Sequence, residues 1–158
     1  MASAAVEALN GAINAYLQFV LSPDRAQDTS DDRVAGLIRH LDELAVGASH
    51  PLAYAFDHGD YDEPPAISYQ KLYAQIADNF PELKYYHVAA TDGTASDLIS
   101  DPWNDIADIY IDLHEVHWRL KNTSAADALL HLHNSFRIHW GLHLRQLQLY
   151  LHEFQNGL

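Results

Sequence analysis

Apolar residues recur three and four positions apart along most of the chain, and no stretch of useful length shows the strict alternation of a half-buried strand. That spacing predicts five helices. The first covers about residues 3 to 21, with Val6, Leu9, Ile13, Leu17 and Val20 on one face, and stops before Pro23. The second covers about 31 to 47; Thr29 and Ser30 are its candidate caps, and Asp31 and Asp32 suit the positive end of its dipole. Val34, Leu37, Ile38, Leu41, Leu44 and Ala45 form its buried stripe, with Arg39, His40, Asp42 and Glu43 expected in solvent. The third runs from about Ser68 to Phe80 and ends at Pro81, after which an Asp92-Gly93 turn follows a short strand-like "KYYHVAA" with no evident partner.

The fourth helix starts at "SDPW", where Asp101 can cap and Pro102 fits the first helical position. Trp103, Ile106, Tyr110, Leu113, His117 and Leu120 share its main face, while Asp105, Asp108, Asp112 and Glu115 project to the other side. These acids read as a solvated face, although at spacings of three and four they repel one another unless a cation or partner sits between them. The fifth helix begins at Ser124 and reaches about Phe154, with Leu129, Leu132, Phe136, Trp140, Leu144, Leu147, Leu151 and Phe154 as its main face. A straight helix of that length exceeds a compact domain of this size, and Gly141 is where it is expected to bend. Ile138, Leu142 and Leu149 make a second apolar stripe on it, as Ile109 and Val116 do on the fourth. The fourth and fifth helices are therefore either the centre of the bundle or part of a dimer interface.

The expectation is an all-α single domain spanning residues 1 to 158, a bundle of about five helices with a long acidic Pro/Gly loop at about 48–67. Asp57, Asp60, Asp62 and Glu63 in that loop offer oxygen ligands, but their spacing does not match an EF-hand. With 22 acids against nine Lys and Arg the formal charge is −13, which disfavours nucleic acid and anionic membranes as partners. The charge is uneven: residues 1 to 115 hold 20 acids and 5 bases, whereas 116 to 158 hold 2 acids, 4 bases and six of the eleven histidines. The N-terminus makes a poor signal peptide and no apolar run is long enough to span a bilayer, so a soluble cytoplasmic protein is expected. The chain has no cysteine, so thiolate metal sites and cysteine nucleophiles are excluded.

The stretches "DPWNDIADIYIDL" and "FRIHWGLHLRQLQLYLH" together resemble the bacterial domain of unknown function 5063 family, over residues 101 to 152. The family pattern has an acidic residue where this chain has Arg137. The resemblance implies an all-helical bacterial domain and no particular activity.

The histidines are the only hint of chemistry. His139 and His143 stand four residues apart, where two imidazoles can chelate one ion, and His117 on the fourth helix is the candidate third ligand for a divalent transition metal. No carboxylate falls on the apolar face of any predicted helix, "HWGLH" lacks the glutamate of a hydrolytic H-E-x-x-H motif, and neither a phosphate loop nor a serine elbow occurs. A buried His143 held by tyrosine hydroxyls or loop carbonyls is the competing interpretation. Tyr110, Trp140 and His143 are the candidate walls of a pocket. Three functions remain open: a module without catalytic activity that binds a protein partner or small ligand, requiring no cofactor; a histidine-based metal-binding protein or metalloenzyme using His139, His143 and His117; and a homodimer held by the second apolar stripe.

Overall fold

The computed structural model describes residues 3–22, 29–50, 56–57, 59–90, 92–94 and 97–158. Its elements run in the order α1 (Ala4–Val20), α2 (Ser30–Ser49), α3 (Tyr69–Asn79), β1 (Tyr86–Ala89), β2 (Asp97–Ser100), α4 (Pro102–Asn122), α5 (Ala125–Ser135), a π turn (Phe136–Trp140) and α6 (Gly141–Asn156). The last three form one helical rod, so the domain is the mostly helical five-helix bundle that the periodicity predicts. Among the described residues no helix is long and apolar enough to cross a membrane.

The helices start where their side chains satisfy the unpaired N–H groups of a first turn. Ser3, Thr29, Ser68, Asp101 and Ser124 each accept from a backbone N–H two or three residues ahead, and Pro102 opens α4. At the far end Gly157, with φ of 68°, closes α6 in the left-handed conformation that glycine adopts without strain.

α4 is the central element, packed against α1, α3, α5 and α6. Ile106, Ile109, Leu113 and Val116 are buried, so both of its apolar stripes are used inside the domain. Buried polar contacts lock its neighbours: the Tyr16 hydroxyl donates to the Ile106 carbonyl at 3.0 Å, and Trp103 Nε1 donates to the Phe80 carbonyl at 2.9 Å. The matching stripe on the rod behaves differently. Ile138, Leu142 and Leu149 are 75%, 58% and 62% exposed.

Three expectations change. "KYYHVAA" does find a partner: β1 pairs antiparallel with β2, Tyr86 opposite Ser100 and Ala89 opposite Asp97, because the Asp92-Gly93 turn returns the chain. His40 is buried rather than solvated, its ring 4.6 Å from that of Phe19. Two acids of the 48–67 loop, Asp57 and Glu63, are held by the protein rather than standing free in solvent. Asp57 accepts from Ser124, the Gly59 N–H and the Tyr61 hydroxyl, and Glu63 reaches the buried Arg119 at 3.0 Å. Pro51 to Ala55 and His58 lie outside the described residues.

Immediately before Gly141, where a bend is expected, the helix widens into the π turn. The Gly141 N–H donates to the Phe136 carbonyl, five residues back, and a Cβ at position 141 would stand 2.2 Å from that same oxygen. At an ordinary exposed helical site such as Gly11, where an added Cβ meets nothing, Gly→Ala is expected to stabilise by about 0.5–1 kcal/mol. At Gly141 the sign is expected to reverse, with Gly141→Ala destabilising by roughly 1–3 kcal/mol as the backbone is forced apart. Urea unfolding of the two variants checks both signs.

Candidate metal centre

Antiparallel packing of α4 against the π turn and α6 lays three aspartates along two histidines. His143 Nδ1 is 2.7 Å from Asp105 Oδ1, and His139 Nδ1 is 2.7 Å from Asp112 Oδ2. An ionised carboxylate only accepts, so each Nδ1 carries the proton and each Nε2 is left as the nitrogen able to coordinate. Between the two pairs lies Asp108, with Oδ2 3.6 Å from His143 Nε2. One ligand atom each from Asp108, His139 and His143 lie within 4.8 Å of one another. The two rings stand edge to face, 5.0 Å between centroids.

The expectation that Asp105, Asp108 and Asp112 form a solvated face is corrected here. Asp105 is 1% exposed and Asp108 and Asp112 are partly buried, so the face that appears polar in the sequence is covered by the rod. Hydrogen bonds replace the lost water. Asp105 also accepts from the Tyr86 hydroxyl at 2.5 Å and the Ser100 hydroxyl at 3.1 Å. Asp108 accepts from Asn104 Nδ2 at 2.8 Å, and Asn104 in turn accepts from the Tyr69 hydroxyl.

These contacts set the protonation equilibria. The Asp105 carboxylate accepting from Nδ1 raises the His143 pKa above the ordinary imidazole value against the opposing effect of burial, and Asp108 and Asp112 add to it. Burial raises the Asp112 carboxyl, partly offset by His139. Burial and then Asp105 raise the Tyr86 phenol, which keeps it a donor.

His117 does not join the group. Its Nδ1 is 2.9 Å from Asn10 Oδ1 on α1, and burial lowers its pKa. Tyr110, Trp140 and His143, expected to wall one pocket, stand in different surroundings. Trp140 is wholly buried, its Nε1 donating to Ser135 Oγ at 3.1 Å, while Tyr110 stacks on His114 beside a separate groove of about 240 Å³. The reason is the direction of each side chain at the turn: Trp140 enters the core, whereas His139 and His143 meet the aspartates. Asp105, Asp108 and Asp112 are the site residues that the helical projection missed. Their mutual repulsion, which requires a partner, was the available signal.

No family model matches this chain, and no curated protein matches it. Among solved structures, that of protein BF1032 from Bacteroides fragilis, a Northeast Structural Genomics Consortium target, superposes with a TM-score of 0.77 over 96% of this chain and 92% of its own. The likeness is one of fold. At 19% identity it carries no residue roles.

Removing Asp105 takes the acceptor from the buried Tyr86 hydroxyl and from the partly buried Ser100 and His143, and Asp105→Ala is expected to destabilise by on the order of 3 kcal/mol in chemical unfolding. His143 gives a pH test in the metal-free protein. Because its folded-state pKa is raised, its contribution is full below the unfolded value near 6.5 and is lost as pH rises through the folded value. The stability gap between the unsubstituted protein and His143→Gln is therefore expected to be widest below about pH 6.5 and to shrink as pH rises above it.

Proposed function

We propose that this domain binds a divalent transition-metal ion through His139, His143 and Asp108. The observation that supports this most directly is that two imidazoles one turn apart are each oriented by a separate carboxylate, with a third carboxylate between them. Carboxylate–histidine pairs of this kind fix the ring, choose the tautomer and strengthen the free nitrogen as a ligand. Imidazole with carboxylate favours zinc, iron(II), cobalt(II) or nickel(II) over calcium or magnesium. A tetrahedral ion with ligands at about 2.1 Å needs ligand atoms about 3.4 Å apart. The His143–Asp108 separation of 3.6 Å is already close to that, and the three ligand atoms lie within 4.8 Å of one another. Three protein ligands would leave at least one coordination position for water or a donor atom of another molecule. Asp105 and Asp112 act as positioning residues behind the imidazoles.

Tag-free protein titrated with zinc or cobalt(II) is expected to take up one ion per chain, with the visible absorption of cobalt reporting nitrogen and oxygen ligation. His139→Ala and His143→Ala are expected to abolish uptake, Asp112→Asn to weaken it by about 10–100-fold, and His117→Ala to leave it unchanged. Because a ligating imidazole must be neutral and the His143 pKa is raised, affinity is expected to fall as pH drops, beginning above pH 6.5. Uptake well below one ion per chain, or equal losses in His117→Ala and His143→Ala, would end the proposal.

A further inference from the structure

The rod has a second face with a different character. Where the end of α2 meets α5, the π turn and α6, a cavity of about 680 Å³ opens, within the range of small-molecule sites. Leu129 and Leu132, both buried, and Phe136, half-buried, form its apolar floor. Arg137, Arg145, His133 and His50 stand around it, and among the described residues no Asp or Glu lines it. In a chain with 22 acids and nine Lys and Arg, an acid-free wall with two arginines stands out. A second groove of similar size, between α1 and α2, sets Arg39 against Asp42 and Glu43 and has no such bias.

The arginines are not consumed by the fold. Arg145 Nη1 donates to the neutral Gln148 Oε1 at 3.2 Å, and it is Gln148 Nε2 that donates to Asp42. Neither Arg137 nor Arg145 lies within ion-pair distance of a carboxylate among the described residues, unlike Arg33 and Arg119. Arg137 and Arg145 both line the cavity, with Gly141 and Leu142 between them in the chain.

From this geometry we infer that the cavity binds a small amphipathic organic anion, its apolar body on the leucine and phenylalanine floor and its carboxylate or phosphate head between Arg137 and Arg145. A guanidinium forks onto either head group, and a wall with two arginines and no acid offsets locally the repulsion that the chain's net negative charge exerts on an anion. The inference stands apart from the metal reading, since none of the three metal ligands lines the cavity.

The test is calorimetric titration of the metal-free protein with octanoate, octyl phosphate and 1-octanol. At least one of the two anions is expected to bind with a stoichiometry of one, more weakly as salt is raised, and the better of the two identifies the head group. Octanol is expected to bind at least about tenfold more weakly than that anion, and Arg137→Gln/Arg145→Gln to reduce anion binding by about tenfold or more. Both arginines are exposed, and an unchanged circular dichroism spectrum and melting temperature for the double variant would show that its loss is one of binding. If neither anion binds, if octanol binds as well as the anions, or if the double variant binds them undiminished, the inference is overturned.

Discussion

Asp105 is a carboxylate in the centre of a helical bundle, and burying an ionised group is tolerable only when hydrogen bonds take the place of its water. Three parts of the chain supply them. Tyr86 and Ser100 are opposite each other in the two-stranded hairpin, and both donate to Asp105. From the other side comes His143 of α6. The hairpin, too short to be stable alone, is thus tied to α4 by the pair of hydroxyls that its register places together. The same carboxylate fixes the rotation of α6 against α4, which in turn sets where Asp108 and Asp112 meet His143 and His139.

Most of the helical frame is legible in the sequence because caps and apolar spacing act locally. Thr29, Ser68, Asp101 and Ser124 sit where the helices begin, and Ile106, Leu113, Leu144 and Leu147 are buried as their spacing requires. What is not legible depends on the partner. A row of aspartates along one face looks the same whether water or a histidine-bearing helix covers it, and only the packing of α6 makes that distinction. For the same reason His117, well placed on its own helix, meets Asn10 of α1 rather than the other histidines. The hairpin escapes periodicity because four residues per strand are too few to show it.

The charge asymmetry of the chain acquires a spatial meaning. Acids of α4 face the histidines on one side of the rod, while Arg137 and Arg145 border the cavity on another, so one helical element carries two environments of opposite charge. On the arginine side the neutral Gln148 stands between Arg145 and Asp42 of α2, so this arginine keeps its charge without an ion pair among the described residues.

The π turn has a counterpart in the spacing of the core. Leu132, Phe136, Trp140 and Leu144 are separated by four residues three times in succession, and in an uninterrupted α-helix those twelve residues would carry the face round by about 120°. The wider turn absorbs the surplus, so all four remain on the core side. A chain one residue shorter between Phe136 and Trp140 would keep a continuous core stripe in a plain helix. What the extra residue changes is therefore the phase of the side chains around it: Trp140 enters the core while Arg137 and His139 are left outside it, on surfaces that a regular helix of the same core would assign to other residues.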